Sequence, residues 1–427
     1  MRINLSGRAG AKAAALAFIA LSSRQALAEV TLAKADGWEV GTSGRLGAFF
    51  SYGFGDTNPI EHPGEHIPLG AGLNTGAYGS PGGTNPDGTF KQGTFGVMRL
   101  RSGFVPNVLS LRVKRQINEA NSLEMVASIW ATIETENARK TAPPITYLQE
   151  GYGRLSGPWG SVLAGRSLDL FSRGATEMDF MYGHGYGLGF GGEVDNYGPA
   201  NGMIGFGVLA AFFAPGIVYA TPSLGGLQLT AGIYDPAPLP GGFEQIRSAR
   251  PEAELTYELQ SGSFKMHLFG NGEFQKVYKT SSDQNASSLG VGYGGRFEVG
   301  AFHIGAAGHY GKGLGLHYAL ESNAVSVSPN YELRTFDGYS VMAQYVVGGK
   351  VDLNAGWGIS RVKLLDSDKA DPTIGIPRDE QGYSAGVVYH YTPNYHVDLD
   401  YFRGRANWRF GQKQDLNFLN VGFTATW

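Results

Sequence analysis

In the stretch PEAELTYEL, residues 251–259, apolar and polar side chains alternate without a break. Ala253, Leu255, Tyr257 and Leu259 fall on one face, and Glu252, Glu254, Thr256 and Glu258 on the other. A period of two is the mark of a strand with one apolar face and one polar face. It recurs along the chain. In SLGVGYGGRFEV, Leu289, Val291, Tyr293, Phe297 and Val299 oppose Arg296 and Glu298. In KVDLNAGWGI, Val351, Leu353, Ala355, Trp357 and Ile359 oppose Asp352 and Asn354. The last segment aligns Leu419, Val421, Phe423, Ala425 and Trp427. A chain with a dozen such segments is all-β, but a soluble sandwich or propeller would alternate as well.

Connection lengths separate these folds. One set is short: INEANS, SGPWG, TPSLGG, QSGS, VGA, GGK and TPN. The other set is long and follows Tyr52, Glu136, Ser167, Asp235, Lys276, Tyr310 and Lys363. Tight turns at one end and long loops at the other are the pattern of an antiparallel transmembrane barrel. The count comes to about sixteen strands, beginning with Trp38 to Tyr52 and Val108 to Gln116. Between those two, TFGVMRLRSGFV is expected to form a hairpin arm of its own.

Composition agrees with a barrel exported to a membrane. Residues 1–28 read as a cleaved signal peptide. Arg2, Arg8 and Lys12 precede an apolar run from Ala13 to Leu21, and Ala26-Leu27-Ala28 is a small-x-small cleavage site. Their removal, with Arg24, takes the net charge from −3 to about −7 and leaves residues 29–427 as one domain. That acidic balance gives no reason to invoke nucleic acid. There is no cysteine, and a closed barrel needs no disulfide because its ladder satisfies every backbone group. The 65 glycines, 22 tyrosines and 24 phenylalanines suit many tight turns and interfacial aromatics. The apolar run from Ile204 to Ala220 is broken by Gly205, Gly207, Pro215 and Gly216, so it reads as a loop end leading into a strand, with a short helical turn around Val208 to Phe213.

Residues 168–214 form the longest connection after the second strand pair, and they read as neither helix nor sheet. A loop of that length within a compact domain has a function. We read it as folded inward to narrow the bore. It carries acids at Asp169, Glu177, Asp179, Glu193 and Asp195, while Arg45, Arg112, Lys114 and Arg166 stand on neighbouring strands as a candidate basic wall. Acids facing bases across a narrow bore set up a transverse field that biases which solutes pass. The plainer alternative is that some of these arginines pin the loop to the wall.

The run SGPWGSVLAGRS, followed by a long acidic loop and then GIVYATPSLGGLQLTAGIYD, resembles the general porins of Gram-negative outer membranes. There, a strand ending in Gly-Arg enters the constricting third loop, and a Tyr-x-x-Pro…Gly-Gly turn follows the next strand. The terminal aromatic fits too, although it is Trp427 where phenylalanine is commoner. The resemblance implies a homotrimer in the outer membrane, in contact with lipid, that passes small hydrophilic solutes and ions by diffusion with no cofactor. MDFMYGHGYGLGF is also similar to the equivalent loop of sugar-selective maltoporins. Under that alternative the barrel has eighteen strands, and Phe180, Tyr182, Tyr186 and Phe190 form an aromatic track. A plugged structural or adhesive barrel is the other alternative.

Motifs for catalysis or metals fail on context. HPGEH, residues 62–66, has the spacing of an inverted zinc site, but Pro63-Gly64 precludes the helix that chemistry needs. GYGLGFGG, residues 185–192, has phosphate-loop glycine density but lies mid-loop, not between strand and helix. None of the nine histidines sits in a recognisable pairing with serine and aspartate, so we expect neither an enzyme nor a metal site.

Overall fold

The computed structural model describes residues 29–56, 93–133, 146–185, 199–237, 239, 242–243, 245–317, 319, 324–326, 331–370, 376–409 and 411–427. The signal segment and HPGEH therefore lie outside the described residues. Among the described residues, nineteen strands are formed. The first seven are β1 (Val30–Ala35), β2 (Trp38–Asp56), β3 (Thr94–Arg101), β4 (Asn107–Gln116), β5 (Ser122–Ala131), β6 (Thr146–Gly157) and β7 (Gly160–Leu168). Then come β8 (Phe213–Ala220), β9 (Leu227–Tyr234), β10 (Gln245–Ile246), β11 (Arg250–Ser261), β12 (Phe264–Tyr278) and β13 (Asn285–Val299). The last six are β14 (Phe302–Lys312), β15 (Thr335–Val347), β16 (Val351–Lys363), β17 (Pro377–Thr392), β18 (Tyr395–Trp408) and β19 (Lys413–Thr426).

Neighbours in sequence pair antiparallel, and β19 returns to β2 with Val421 opposite Phe50, which closes the ring. Two barrel strands are each made of two pieces. β2 pairs with β3 along its upper half and with β4 along its lower half, Phe49 opposite Arg101 and Arg45 opposite Val108. The expected hairpin arm from residue 94 is therefore the upper half of the second barrel strand. Its break at 102–106 misled the reading, because Gly103 has a positive φ of 86° and Pro106 has no N–H for the ladder. β10 and β11 likewise share β12. With these merged, and β1 set aside as an extra strand on the lower edge of β2, the closed barrel has sixteen strands.

Side chains alternate across the wall as the sequence dictates. On β11, Leu255 is 46% exposed, whereas Glu254 is 2% exposed. Along the outside, Leu289, Val291, Tyr293, Leu353, Trp357, Leu419 and Val421 present an apolar surface, as a lipid-facing wall requires. The short connections lie where expected. Between β15 and β16 the link is residues 348–350, and Gly348 and Gly349 both have positive φ, 57° and 70°, the left-handed backbone such a tight hairpin needs. The long-loop end is less uniform than expected, since residues 279–284 and 409–412 are short hairpins too. No helix among the described residues is long and apolar enough to cross a membrane.

Candidate pore constriction

The loop leaves β7 at Asp169 and re-enters the sheet at Phe213. Its two ends are tied together: Phe212 N–H donates to Asp169 Oδ1 at 3.0 Å, and Asp169 N–H donates to Phe212 O at 2.7 Å. Beneath them Arg250 donates to Asp169 Oδ2 at 2.9 Å and reaches Glu252 Oε1 at 2.8 Å. The other oxygen of Glu252 accepts the N–H groups of Leu170 and Phe171 at 2.8 and 2.9 Å. This root is buried throughout. Burial, together with the nearby Glu252 carboxylate, raises the pKa of Asp169 despite Arg250.

A short helix follows, α1 (Arg173–Met178), where the sequence reading expected none. Arg173 bonds Glu254 on the wall and lies 3.9 Å from Glu177. Gly174 sits so close to Phe269 that a Cβ there would overlap the ring. Asp179 then joins the outgoing and returning arms, accepting Met181 N–H at 2.8 Å and Met203 N–H at 2.7 Å. Burial pushes its pKa up to about 6 even with these backbone donors. Further on, Arg45 donates to Gly183 O at 2.6 Å, and His184 Nδ1 lies 3.5 Å from Asp398. On the return, Gly207 N–H donates to Ser360 Oγ at 2.9 Å, and no helical turn forms at 208–213. The described parts of the loop thus lie along the inside of the barrel from β11 round to β18, and they reach the β2 side at Arg45 and Phe104.

The wall under it is lined with glycine. A Cβ at Gly290 would stand 2.5 Å from Phe171 Cζ, and one at Gly382 would stand 2.6 Å from Phe206 Cγ. At Gly358 it would overlap the Phe206 carbonyl. Met178, Phe180, Met181, Met203, Phe206, Phe402 and Trp408 close an apolar core between loop and wall. Above it, the loops after β9, β14 and β16 pack into a second apolar core that includes Phe243, Leu314, Leu316, Leu333 and Ile376, joined to the inward loop through Phe171 and Leu209. Arg334 holds this roof together by a two-point pair with Asp368, at 2.8 and 2.6 Å, in α2 (Asp366–Ala370).

The opposite wall, β2 to β7, carries inward-facing charges. Arg112 lies 3.6 Å from Glu124, and Glu124 lies 3.5 Å from Arg154. Glu150 accepts Ser128 Oγ at 2.9 Å. Arg112, Glu124 and Arg154 keep 17–25% of their side-chain surface exposed, unlike the buried loop root.

The expected residues divide accordingly. Arg112 and Lys114 face the bore, towards the short-turn end, where both bind Glu29 at 2.8 and 2.7 Å. Arg45 is buried and bonds the carbonyls of Val105, Pro106 and Gly183, so it pins the loop and presents no charge to the bore. Arg166 points outward: the buried inward positions are Leu163 and Ser167, and Arg166 lies on the other parity, donating to Gln149 O at 3.1 Å. Asp169 and Asp179 hold the loop together, and Glu177 is half-buried beside Arg173. Phe180 is buried under the Arg296 guanidinium, 4.5 Å from the ring centroid, and Tyr182 packs edge-on against Phe104, so these two aromatics form no open track. Glu193, Asp195, Tyr186 and Phe190 lie outside the described residues, as does most of GYGLGFGG. Sequence reasoning missed the Arg250 and Glu252 clamp and the charges at Glu29, Glu124 and Arg154. The parity of PEAELTYEL and SLEMVASIWA already put Glu252 and Glu124 inside.

A closed sixteen-stranded barrel with an apolar exterior and a loop laid inside it defines an outer-membrane channel. The chain belongs to the Gram-negative porin family, whose model matches residues 13–412. Among solved structures, it is similar to the outer membrane channel DcaP of Acinetobacter baumannii (13% identity, TM-score 0.62), covering 93% of this chain and 100% of that one. It is also similar to the anion-selective porin from Comamonas acidovorans (12%, 0.55), covering 91% and 100%. OmpT of Vibrio cholerae in its trimer form (14%, 0.51) covers 92% and 100%. At such identities the likeness concerns the fold. No curated protein matches the chain in sequence. The protein is a non-enzymatic porin of the Gram-negative outer membrane, a channel for passive diffusion. With sixteen strands in the closed ladder, the eighteen-stranded sugar channel and the plugged barrel are not favoured.

Proposed function

We propose that small hydrophilic solutes and ions cross this porin along the β2–β7 wall, with the loop at 168–214 as the constriction. The observation that carries this reading is the asymmetry of the interior: apart from its fastening at Arg45 and Phe104, the loop packs with the roof against the wall from β11 to β18, while Arg112, Lys114, Glu124 and Arg154 stay partly exposed opposite. Charges fixed on one side of a narrow aqueous path act on passing ions more strongly than they would in bulk water. The loop acids enter this reading chiefly as fasteners, which leaves the field to the pairs on the open wall. Residues 1–28 serve as the export signal, and the working assembly is a homotrimer. The trimer form of a similarly folded barrel supports that assembly.

Liposome swelling with a graded series of sugars tests the reading. Small sugars should enter at rates that fall steeply with size. Swelling that ignores solute size, or no swelling from correctly assembled protein, would contradict it. The native assembly should migrate as three chains after gentle extraction and as one after boiling.

A further inference from the structure

The inward face near the short-turn end holds a feature that neither sieving nor loop anchoring uses. Arg112 and Lys114 converge on a single oxygen, Oε2 of Glu29, at 2.8 and 2.7 Å. The second oxygen, Oε1, has no hydrogen-bond partner among the described residues and lies against Gly41, where a Cβ would occupy the same space. The wall is thus hollowed at Gly41 to admit a carboxylate beside two cations. Their neighbours leave these cations available to an anion. Glu39, opposite Lys114, is engaged by Lys34 at 3.0 Å, and Glu124 is shared between Arg112 and Arg154.

The group that fills this cradle sits on a weakly held element. Glu29 immediately precedes β1, which is exposed at every residue. β1 is held along the edge of β2, with its register broken between Thr31 and Ala33. It takes over that edge where β19 ends, just below the mutual backbone bonds of Trp427 and Gly44. A short, exposed edge strand opens at small free-energy cost.

We propose that Arg112 and Lys114 form a binding site for carboxylate-bearing organic anions inside the channel, and that Glu29 is a tethered carboxylate that occupies the site until a solute displaces it. The proposal rests on the reading that the β2–β7 wall borders the conducting path. A guanidinium and an ammonium converging on one oxygen make charge-assisted bonds of the kind that select carboxylates over chloride. The tether makes Glu29 a competitor at high effective concentration, so wild-type protein should bind such solutes weakly and release them quickly.

Single-channel recording of the full protein in potassium chloride, titrated with succinate, tests this. Wild type should lose conductance only at high succinate. Glu29→Ala removes the tethered carboxylate, and it should lower the half-blocking concentration roughly tenfold, the equivalent of one good polar contact. Lys114→Gln, alone or added to Glu29→Ala, should raise that concentration above that of its parent, which supplies an independent arm if Glu29→Ala assembles poorly. Channels that conduct normally in chloride but show the same half-blocking concentration in all variants would overturn the proposal. Protein that inserts yet conducts nothing would overturn the channel reading, and the proposal with it.

Discussion

The two halves of the barrel interior are built from the same strand but finished differently. From β11 to β18 the inward positions under the loop include Gly290, Gly356, Gly358 and Gly382, where side chains would collide with the loop. From β2 to β7 the inward positions carry Arg112, Lys114, Glu124, Glu150 and Arg154, with Glu124 between Arg112 and Arg154, Lys114 on Glu29 and Glu150 on Ser128. Glycine in a strand normally weakens it. Here the loss is offset by an apolar interface with the loop, whose own clamp of Asp169, Arg250 and Glu252 is buried. One wall therefore serves as a socket and the other as a bank of the stream. A residue's inward parity alone does not say which of the two it joins.

The largest effect should come from unfastening the socket. Arg250→Ala leaves the carboxylates of Asp169 and Glu252 buried without their cation, a loss of about 3–5 kcal/mol for a buried pair broken on one side. Limited proteolysis should then cut within the loop at rates that wild type does not show. Second, the exterior can be challenged by Leu255→Arg. At mid-membrane that change costs about 2–4 kcal/mol, read from urea refolding into vesicles. Third, Gly358→Val should cost about 1–3 kcal/mol by overpacking against Phe206 and should displace the returning arm of the loop. Altered open-channel conductance would accompany it. The smallest change in stability belongs to the bank. Arg112→Gln with Arg154→Gln should shift stability by under about 1 kcal/mol, because these pairs are partly exposed. Reversal potentials should nevertheless move towards cation preference, more so in dilute salt, where screening is weaker.

The alternation in PEAELTYEL was enough to assign inside and outside on β11, and it placed Glu252 and Glu254 inward before their partners were known. Chain closure was legible from turn spacing. The break in the second barrel strand was not, because Gly103 to Pro106 carries the same residues as a hairpin turn, and only the 19-residue length of β2 shows that one partner strand must span both pieces. Arg166 was misplaced because it was judged by its nearness to the loop and not by its parity with Leu163 and Ser167. The site itself was the least legible part. Arg250 meets Asp169 across 81 residues and Arg112 meets Glu29 across 83, and such pairings follow from strand register and loop path, which no local pattern records. The glycines of the socket carried a signal that was read as turn composition.

The absence of cysteine from the chain makes the central claim open to direct test by single-cysteine labelling. Arg154→Cys places a thiol on the open wall, and Ser384→Cys places one on the covered wall, where the serine hydroxyl now lies 3.1 Å from Met181 Sδ. A positively charged methanethiosulfonate reagent applied to single channels should step the conductance down within seconds for Arg154→Cys and leave Ser384→Cys unchanged. Equal labelling at both positions, or a step only at Ser384→Cys, would mean that the solute path does not follow the wall from β2 to β7.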